Sequence, residues 1–460
     1  MAYEGLMVSV SGVRGRVGEA LSPEVVARFA AAFGAWAVGR RGAGESRAVV
    51  LGRDSRVSGA LFHRVARSAL EAVGAQVIDI GLTTTPTCQM AVEHHRAAGG
   101  LMLSASHNPI EWNALKLIGP TGLFLSAAEG AEMRAGMERG IRYATWDALG
   151  ATTADDDAAR RHVDAVLALP FLDVDAIRRR RFRVALDACH GAAAVIVPLL
   201  LERLGCAVTA IGMEPDGRFP RPPEPVAENL GDLQALVRES GADVGLAVDP
   251  DVDRLALVSE EGVAIGEDYT LALAARLVLA HREGPVVTNL STSQVVDDVA
   301  RAAGSRVIRA PVGEVNVALR MRDEGAPIGG EGNGGVILPE LHLGRDAPLG
   351  IALVLQLLLA EARPLSAIVA DHPRYVIVKD KLDRPAGVSL DTVYAALLGE
   401  FPDAERDTQD GLRLAWPDRW VHVRPSGTEP IVRVIAEAPS AADALALVER
   451  SRAPLEALVG

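Results

Sequence analysis

Four short stretches hold the residue types that chemistry needs. The first, GLMLSASHNP at 100–109, passes from an apolar run into Ser104, Ser106, His107 and Asn108. A buried strand that ends in a polar loop delivers that loop to a sheet edge, where α/β proteins bind ligands. Ser106 beside His107 is placed as a nucleophile would be, although a polar turn satisfying its own backbone reads the same way. The second stretch, DVGLAVDPDVDRLALV at 243–258, sets Asp249, Asp251 and Asp253 at alternate positions between two apolar runs. Three carboxylates this close repel one another unless cations compensate, and Mg²⁺ favours a few carboxylates plus a phosphate. An acidic turn between two strands is the plainer alternative.

The third stretch, IGGEGNGGVIL at 328–338, surrounds Glu331 and Asn333 with glycines; His342, Arg345 and Asp346 follow closely. Glycines let backbone approach a ligand, and a carboxylate with an amide suits sugar hydroxyls; a glycine-rich hairpin is the competing reading. The fourth, VRPSGTEPIVR at 423–433, gathers Arg424, Ser426, Gly427 and Thr428 in one turn, with Arg433 beyond. A guanidinium, two hydroxyls and free backbone N–H groups match phosphate oxygens, and a plain turn remains open. Near the start, SVSGVRGRVG brackets Arg14 with glycines, a way to hold a guanidinium over a pocket.

The elements that must position these stretches repeat. Segments 48–81, 182–212 and 286–313 each read strand, loop, helix, glycine, strand, with Gly74, Gly205 or Gly304 where a left-handed helix cap belongs. Three β–α–β units imply three similar α/β domains in tandem, mixed sheets covered by helices. From residue 374 the pattern changes to strand, helix, hairpin, strand, helix: a smaller α+β domain. The expected boundaries are 1–152, 153–255, 256–370 and 371–460. A helix is predicted from Pro23 to about Gly39 with Ser22 as its cap. The charged segment around 155–181 reads as a helical linker, and the proline-rich 213–228 as an irregular loop.

Composition narrows the function classes. The 460 residues are 49% hydrophobic, only 4% are aromatic, and the net charge is −13. That balance argues against nucleic-acid binding and requires a local positive cluster for any anionic substrate. Three cysteines without ligand spacing give no disulfide framework and suit a reducing cytoplasm. No stretch is apolar for long enough to span a bilayer, so no membrane partner is expected.

SASHNP, DPDVDR, GEGNGG and RPSGTEP, in this order and at these separations, resemble the α-D-phosphohexomutase family, as do SGVRG and GRDSRVSG. The resemblance covers essentially the whole chain. It implies four domains around one cleft, and a phosphoserine at Ser106 that converts a sugar monophosphate to a bisphosphate and back. It implies one Mg²⁺ per chain, held by Asp249, Asp251, Asp253 and the phosphorylated Ser106. Lys116 and His107 would handle protons or charge, and Arg14 and Arg254 would surround the transferring phosphate. Glu331, Asn333, His342 and Arg345 would face the sugar, while Arg424, Ser426, Gly427, Thr428 and Arg433 would bind the other phosphate. The partner is a small hexose or hexosamine phosphate, with a sugar bisphosphate as activator, and the protein is a monomer or homodimer.

Two departures stand out from the common family pattern. Asn333 and Gly335 stand where the usual loop GE-x-S-G-H has Ser and His, and Pro250 and Val252 replace glycines. The GEGNGG form resembles a branch acting on glucosamine phosphate. Removing a His that could become cationic favours an amine, so glucosamine 6-phosphate and glucosamine 1-phosphate are the expected pair, with mannose or glucose phosphates as the alternative. An aspartate-nucleophile phosphatase is a competing enzyme class, but its motif sits on a first strand. A non-catalytic sugar-phosphate sensor conflicts with retention of every reactive residue.

Overall fold

The computed structural model describes residues 5–9, 12–42, 44–383, 389–425 and 431–457. Three of its four sheets share one layout: three parallel strands, then an antiparallel strand that closes a hairpin. In the first sheet these are Gln76–Leu82, Ala48–Arg53, Gly99–Leu103 and Trp112–Ile118. In the second they are Ala207–Ile211, Arg183–Asp187, Val244–Val248 and Leu255–Ser259. In the third they are Val307–Ala310, Val286–Asn289, Ile328–Glu331 and Gly335–Ile337. The first sheet is widened to seven strands by Met7–Ser9 and Gly12–Arg16 at one edge and Thr152–Ala154 at the other.

This layout sets the position of the chemistry. The serine loop, the aspartate loop and the glycine loop are the three closing hairpins, one per sheet. Each hairpin turns at the carboxyl end of the third parallel strand, the end where α/β sheets bind ligands. The reading of the aspartates as a turn between two strands and the reading as a metal loop are therefore compatible: the turn is the loop.

Local sequence explains the elements. The helix Pro23–Gly39 starts where Ser22 Oγ accepts the Val25 N–H at 3.3 Å, with Pro23 in the first turn. Gly74, Gly205 and Gly304 sit at φ +78°, +68° and +71° after their helices, the left-handed conformation that lacks a Cβ penalty. The helix Ala347–Glu361 is apolar on all sides because it is buried on nearly all of them. Its Leu353, Val354 and Leu357 belong to a core shared by the second and third sheets. Among the described residues, no helix is long and apolar enough to cross a membrane.

Three sequence expectations are corrected. The segment around 155–181 is no linker: its helices Ala158–Leu167 and Val174–Arg180 place Val163, Val166 and Ile177 in that shared core. The boundaries expected after 152 and 255 each cut a strand, because Thr152–Ala154 pairs within the first sheet and Leu255–Ser259 within the second. The fourth sheet is wholly antiparallel, in the order Val376–Asp383, Ile431–Ala438, Arg419–Pro425, Leu412–Trp416, Glu405–Asp407. The helices Leu390–Glu400 and Ala441–Glu456 cover it, giving the α+β tail.

Candidate active site

The site forms where the three hairpins meet. Ser106 donates from Oγ to Asp249 Oδ2 at 2.6 Å, joining the first sheet to the second. His107 Nδ1 lies 3.3 Å from the same Oγ. Ser106 adopts φ +48°, an uncommon conformation for a residue with a side chain. A buried arginine that sequence reasoning left without a role holds this backbone. Arg56 donates to the carbonyls of Ser106 and Asn108 at 2.6 Å each, and to those of Pro109 and Trp112 at 2.8 Å each. Asp54 backs it at 3.2 Å, with both side chains fully buried. One guanidinium thus ties together four carbonyls spanning the loop from Ser106 to the first residue of the following strand.

The aspartates are under-neutralised. Asp249, Asp251 and Asp253 are fully buried, and one ligand atom from each falls within 4.8 Å of the others. Lys116 Nζ reaches Asp251 Oδ2 at 2.5 Å and Asp253 Oδ2 at 3.4 Å, and Thr85 also donates to Asp251. Among the described residues, Asp251 Oδ1 and Asp253 Oδ1 remain buried with no hydrogen-bond partner. Burial, then repulsion from Asp253 and Asp251, pushes the Asp249 carboxyl well above its usual range. Buried carboxylate oxygens with open lone pairs are what a hard cation takes up, so this donor set fits a divalent metal.

Opposite charge surrounds the serine. Arg14 donates to Asn108 Oδ1 at 2.7 Å. Burial and repulsion from Arg254 hold its guanidinium below the ordinary value. Arg254 Nε is buried without a hydrogen bond among the described residues, 3.8 Å from Asp253 Oδ1, and Glu224 is 3.5 Å from its Nη1. Burial, then Arg254 and Arg14, push the His107 imidazole well below its usual range. Two crowded guanidinium groups beside a serine make a receptor for an anion such as phosphate.

Four segments match the domains of one family in sequence order. They are phosphoglucomutase/phosphomannomutase α/β/α domain I at residues 6–143, domain II at 160–262, domain III at 266–375 and the C-terminal domain at 375–453. The chain belongs to the α-D-phosphohexomutase family. As a phosphohexomutase it is an isomerase. A probable phosphoglucosamine mutase of Methanopyrus kandleri is 38% identical over 441 residues, covering 95% of this chain and 94% of its own. A phosphoglucomutase/phosphomannomutase of Thermococcus kodakarensis is 37% identical over 439 residues, covering 95% of each. The crystal structure of a phosphoglucomutase/phosphomannomutase family protein from Burkholderia thailandensis superposes with a TM-score of 0.83 at 27% identity, covering 98% of each chain.

Several residues expected to face the sugar are placed differently in this phosphohexomutase. His342 is corrected: it is buried, its Nε2 bonds Asp346 Oδ2 at 2.9 Å, and its Nδ1 accepts the Gly344 N–H at 3.1 Å. Both ring nitrogens are spent on the protein. His162 shares the same Asp346 oxygen at 2.7 Å and meets Thr87 at 2.8 Å, so a His–Asp–His knot ties the first three domains together. Arg345 is also corrected. Each of its nitrogens is held by a carboxylate: Nε by Glu314 at 2.9 Å, Nη1 by Glu331 and Nη2 by Asp253, each at 2.7 Å. Glu331 is buried, with Asn289 donating to its Oε1 at 2.9 Å and the Gly313 N–H at 3.1 Å. Asn333 folds into its own turn, its Oδ1 accepting the Gly335 N–H at 3.2 Å.

The phosphohexomutase keeps the remaining candidates on its fourth sheet. Arg424 and Arg433 are cross-strand partners, and Arg424 Nη2 pairs with Asp410 at 3.2 Å. Ser426, Gly427 and Thr428 lie outside the described residues. That sheet is fastened to the third domain by Ser291 against His422 Nδ1 at 2.8 Å and by the Gln294 N–H on Glu437 at 2.8 Å.

Proposed function

We propose that the enzyme interconverts glucosamine 6-phosphate and glucosamine 1-phosphate through a phosphoserine at Ser106 and a sugar bisphosphate. The observation that carries the phosphoserine is the Ser106 Oγ–Asp249 contact of 2.6 Å beside two guanidinium groups. In the forward half, the bond from phosphorus to Ser106 Oγ breaks as one to the sugar hydroxyl oxygen forms, and the proton lost by that hydroxyl is balanced by one gained at Ser106 Oγ. Ser106 is then rephosphorylated from the other end of the turned bisphosphate. His107 Nδ1 stands within reach of Oγ to accept or return the proton.

Asp249, Asp251 and Asp253 would hold Mg²⁺, with phosphorylated Ser106 completing the set. When bound, Mg²⁺ offsets charge on the transferring phosphoryl oxygens. Lys116, tied to two of the aspartates, keeps a positive charge at the same place, and its ammonium is raised by Asp251 and Asp253 although burial opposes this. Arg14 and Arg254 orient the phosphate for in-line transfer. Arg424 and Arg433, with Ser426, Gly427 and Thr428, would hold the phosphate that is not being transferred, Arg424 exchanging Asp410 for it.

The choice of glucosamine rests on the relatives. The 38% identical Methanopyrus protein and a 34% identical Methanothermobacter protein are both called probable phosphoglucosamine mutases. The electrostatic argument from the glycine loop is weaker than the sequence implied. Gly335 removes a side chain, but the Arg345 guanidinium stands 2.7 Å from Glu331 and offsets the charge an amine would seek. That contact favours a second reading, in which glucose and mannose phosphates are turned over equally well, as the name of the Thermococcus relative suggests. Catalytic efficiencies for the three sugar phosphates, measured side by side with saturating Mg²⁺ and a bisphosphate activator, decide between them. Clear preference for glucose or mannose phosphate rejects the glucosamine assignment.

A further inference from the structure

Arg345 sits where two functional hairpins meet, and what lets it sit there is a missing side chain. Its three nitrogens bond Asp253 from the aspartate loop, Glu331 from the glycine loop and Glu314 from the helix Glu314–Glu324. Glu314 in turn accepts from Gln89 of the first domain at 3.0 Å. The guanidinium is therefore pinned in direction as well as charge-matched.

The path of its aliphatic stem runs over Gly335. A Cβ at residue 335 would stand 2.2 Å from Arg345 Cδ and 2.8 Å from Cγ, closer than real atoms approach. The stem cannot swing aside while its head is held by three carboxylates. The strand cannot retreat either, because Gly335 is laddered to Glu331 and its N–H is held by Asn333. Glycine is required here for space alone, whereas Gly334 next to it needs glycine both for its φ of +87° and because a Cβ would stand 2.4 Å from the Leu255 carbonyl oxygen.

We propose that Gly335 and Arg345 are one positioning unit: the bare backbone at 335 admits Arg345, and Arg345 fixes Glu331 and Asp253 relative to each other. The loop facing the sugar and the loop facing the transferring phosphate are thereby set as a pair. Neither residue touches the reacting atoms. The unit acts through Glu331 on sugar binding and through Asp253 on metal binding. This inference rests on the reading of Glu331 as a sugar contact and Asp253 as a metal ligand.

The test is a cycle of Gly335→Ala, Arg345→Lys and the double variant in the full-length enzyme. Arg345→Ala would strand three buried carboxylates and can fail to fold, so lysine, which keeps one charge without the fork, replaces it. Kinetics with each hexose phosphate, Mg²⁺ affinity by calorimetry without sugar, and melting temperature are measured. Each single variant is expected to raise KM roughly tenfold with kcat changed by less than about threefold, and to shift the Mg²⁺ Kd in the same direction. The double variant is expected within about twofold of the worse single one, because both remove the same unit. Penalties that multiply, a neutral Gly335→Ala, or a lowered melting temperature with KM and Mg²⁺ affinity unchanged would each overturn the proposal. If the wild-type enzyme turns over none of the sugars, the functional reading fails. The Mg²⁺ cycle then decides the unit alone: shared shifts sustain it and independent ones reject it.

Discussion

Two carboxylate clusters lie in the same interior and are built to opposite rules. Around Asp346 every acceptor is used: Oδ1 takes the Leu349 N–H at 2.9 Å and Oδ2 takes both histidines. Around Asp249, Asp251 and Asp253, three acids crowd together and two buried oxygens stay open. The knot holds its acid well below the usual carboxylate range, while the loop pushes Asp249 well above it. A saturated cluster stabilises the fold by itself; an unsaturated one awaits something the chain does not supply. The difference separates residues that fasten domains from residues proposed to do chemistry, although both groups are buried.

Perturbing the two clusters should give opposite signatures. Ser106→Ala should reduce turnover by at least about a thousandfold while leaving the melting temperature near that of wild type. Intact-protein mass should show phosphate on wild type and none on the variant; full activity in the variant would sink the phosphoserine. Chelation with EDTA should stop turnover with the circular dichroism spectrum unchanged, and added Mg²⁺ should restore it. Turnover that survives exhaustive chelation removes the metal role from the open cluster.

Arg56→Lys tests how the serine is held. Lysine cannot satisfy four carbonyls at once, and small misplacement of a reacting group costs up to about a hundredfold, so kcat should fall 10- to 100-fold, roughly, with KM little changed. A proportional loss in KM instead would mean that Arg56 serves binding. Arg424→Ala should cost about 1.5–3 kcal/mol of catalytic efficiency in both directions, since the bisphosphate must present each end to the same holder. Loss in one direction only would contradict a shared phosphate site.

The knot should answer in stability. Asp346→Asn should cost about 1–3 kcal/mol of unfolding free energy and leave kcat per folded molecule unchanged. The folded carboxyl titrates below its unfolded value, so its contribution is present above the ordinary carboxylate range of about 4 and is lost as pH falls below that. The stability deficit of the variant should therefore shrink as pH falls below about 4, giving it a flatter acid limb than wild type. An unchanged acid limb would show that the knot contributes nothing.

The half of this contrast proposed to be catalytic drew notice in the sequence because its residues come in contiguous motifs. Ser106 with His107, and the three alternating aspartates, advertise themselves within a few positions. Their supports do not. Arg56, Thr85, Glu314 and Gln89 reach the site across 50 residues or more in most contacts, with no local pattern to mark them. His342 lies close in sequence to the glycine loop but faces away from it, because the short turn after residue 338 sends it into the knot. The three β–α–β units were readable from periodicity and glycine caps. The closing antiparallel strands were readable in part: the aspartate and glycine loops each admitted a turn between two strands, while a five-residue apolar run by itself looks the same in either direction.

The backbone of Ser106 has a consequence for evolution under selection for stability alone. A residue with a Cβ at φ +48° stores about 1–2 kcal/mol that glycine would release. Ser106→Gly should thus melt above Ser106→Ala, since both lack the Asp249 contact and differ in the strain. The proposed nucleophile occupies a position the fold would cede to glycine, so drift without demand for turnover leads toward an inert protein with that strain released.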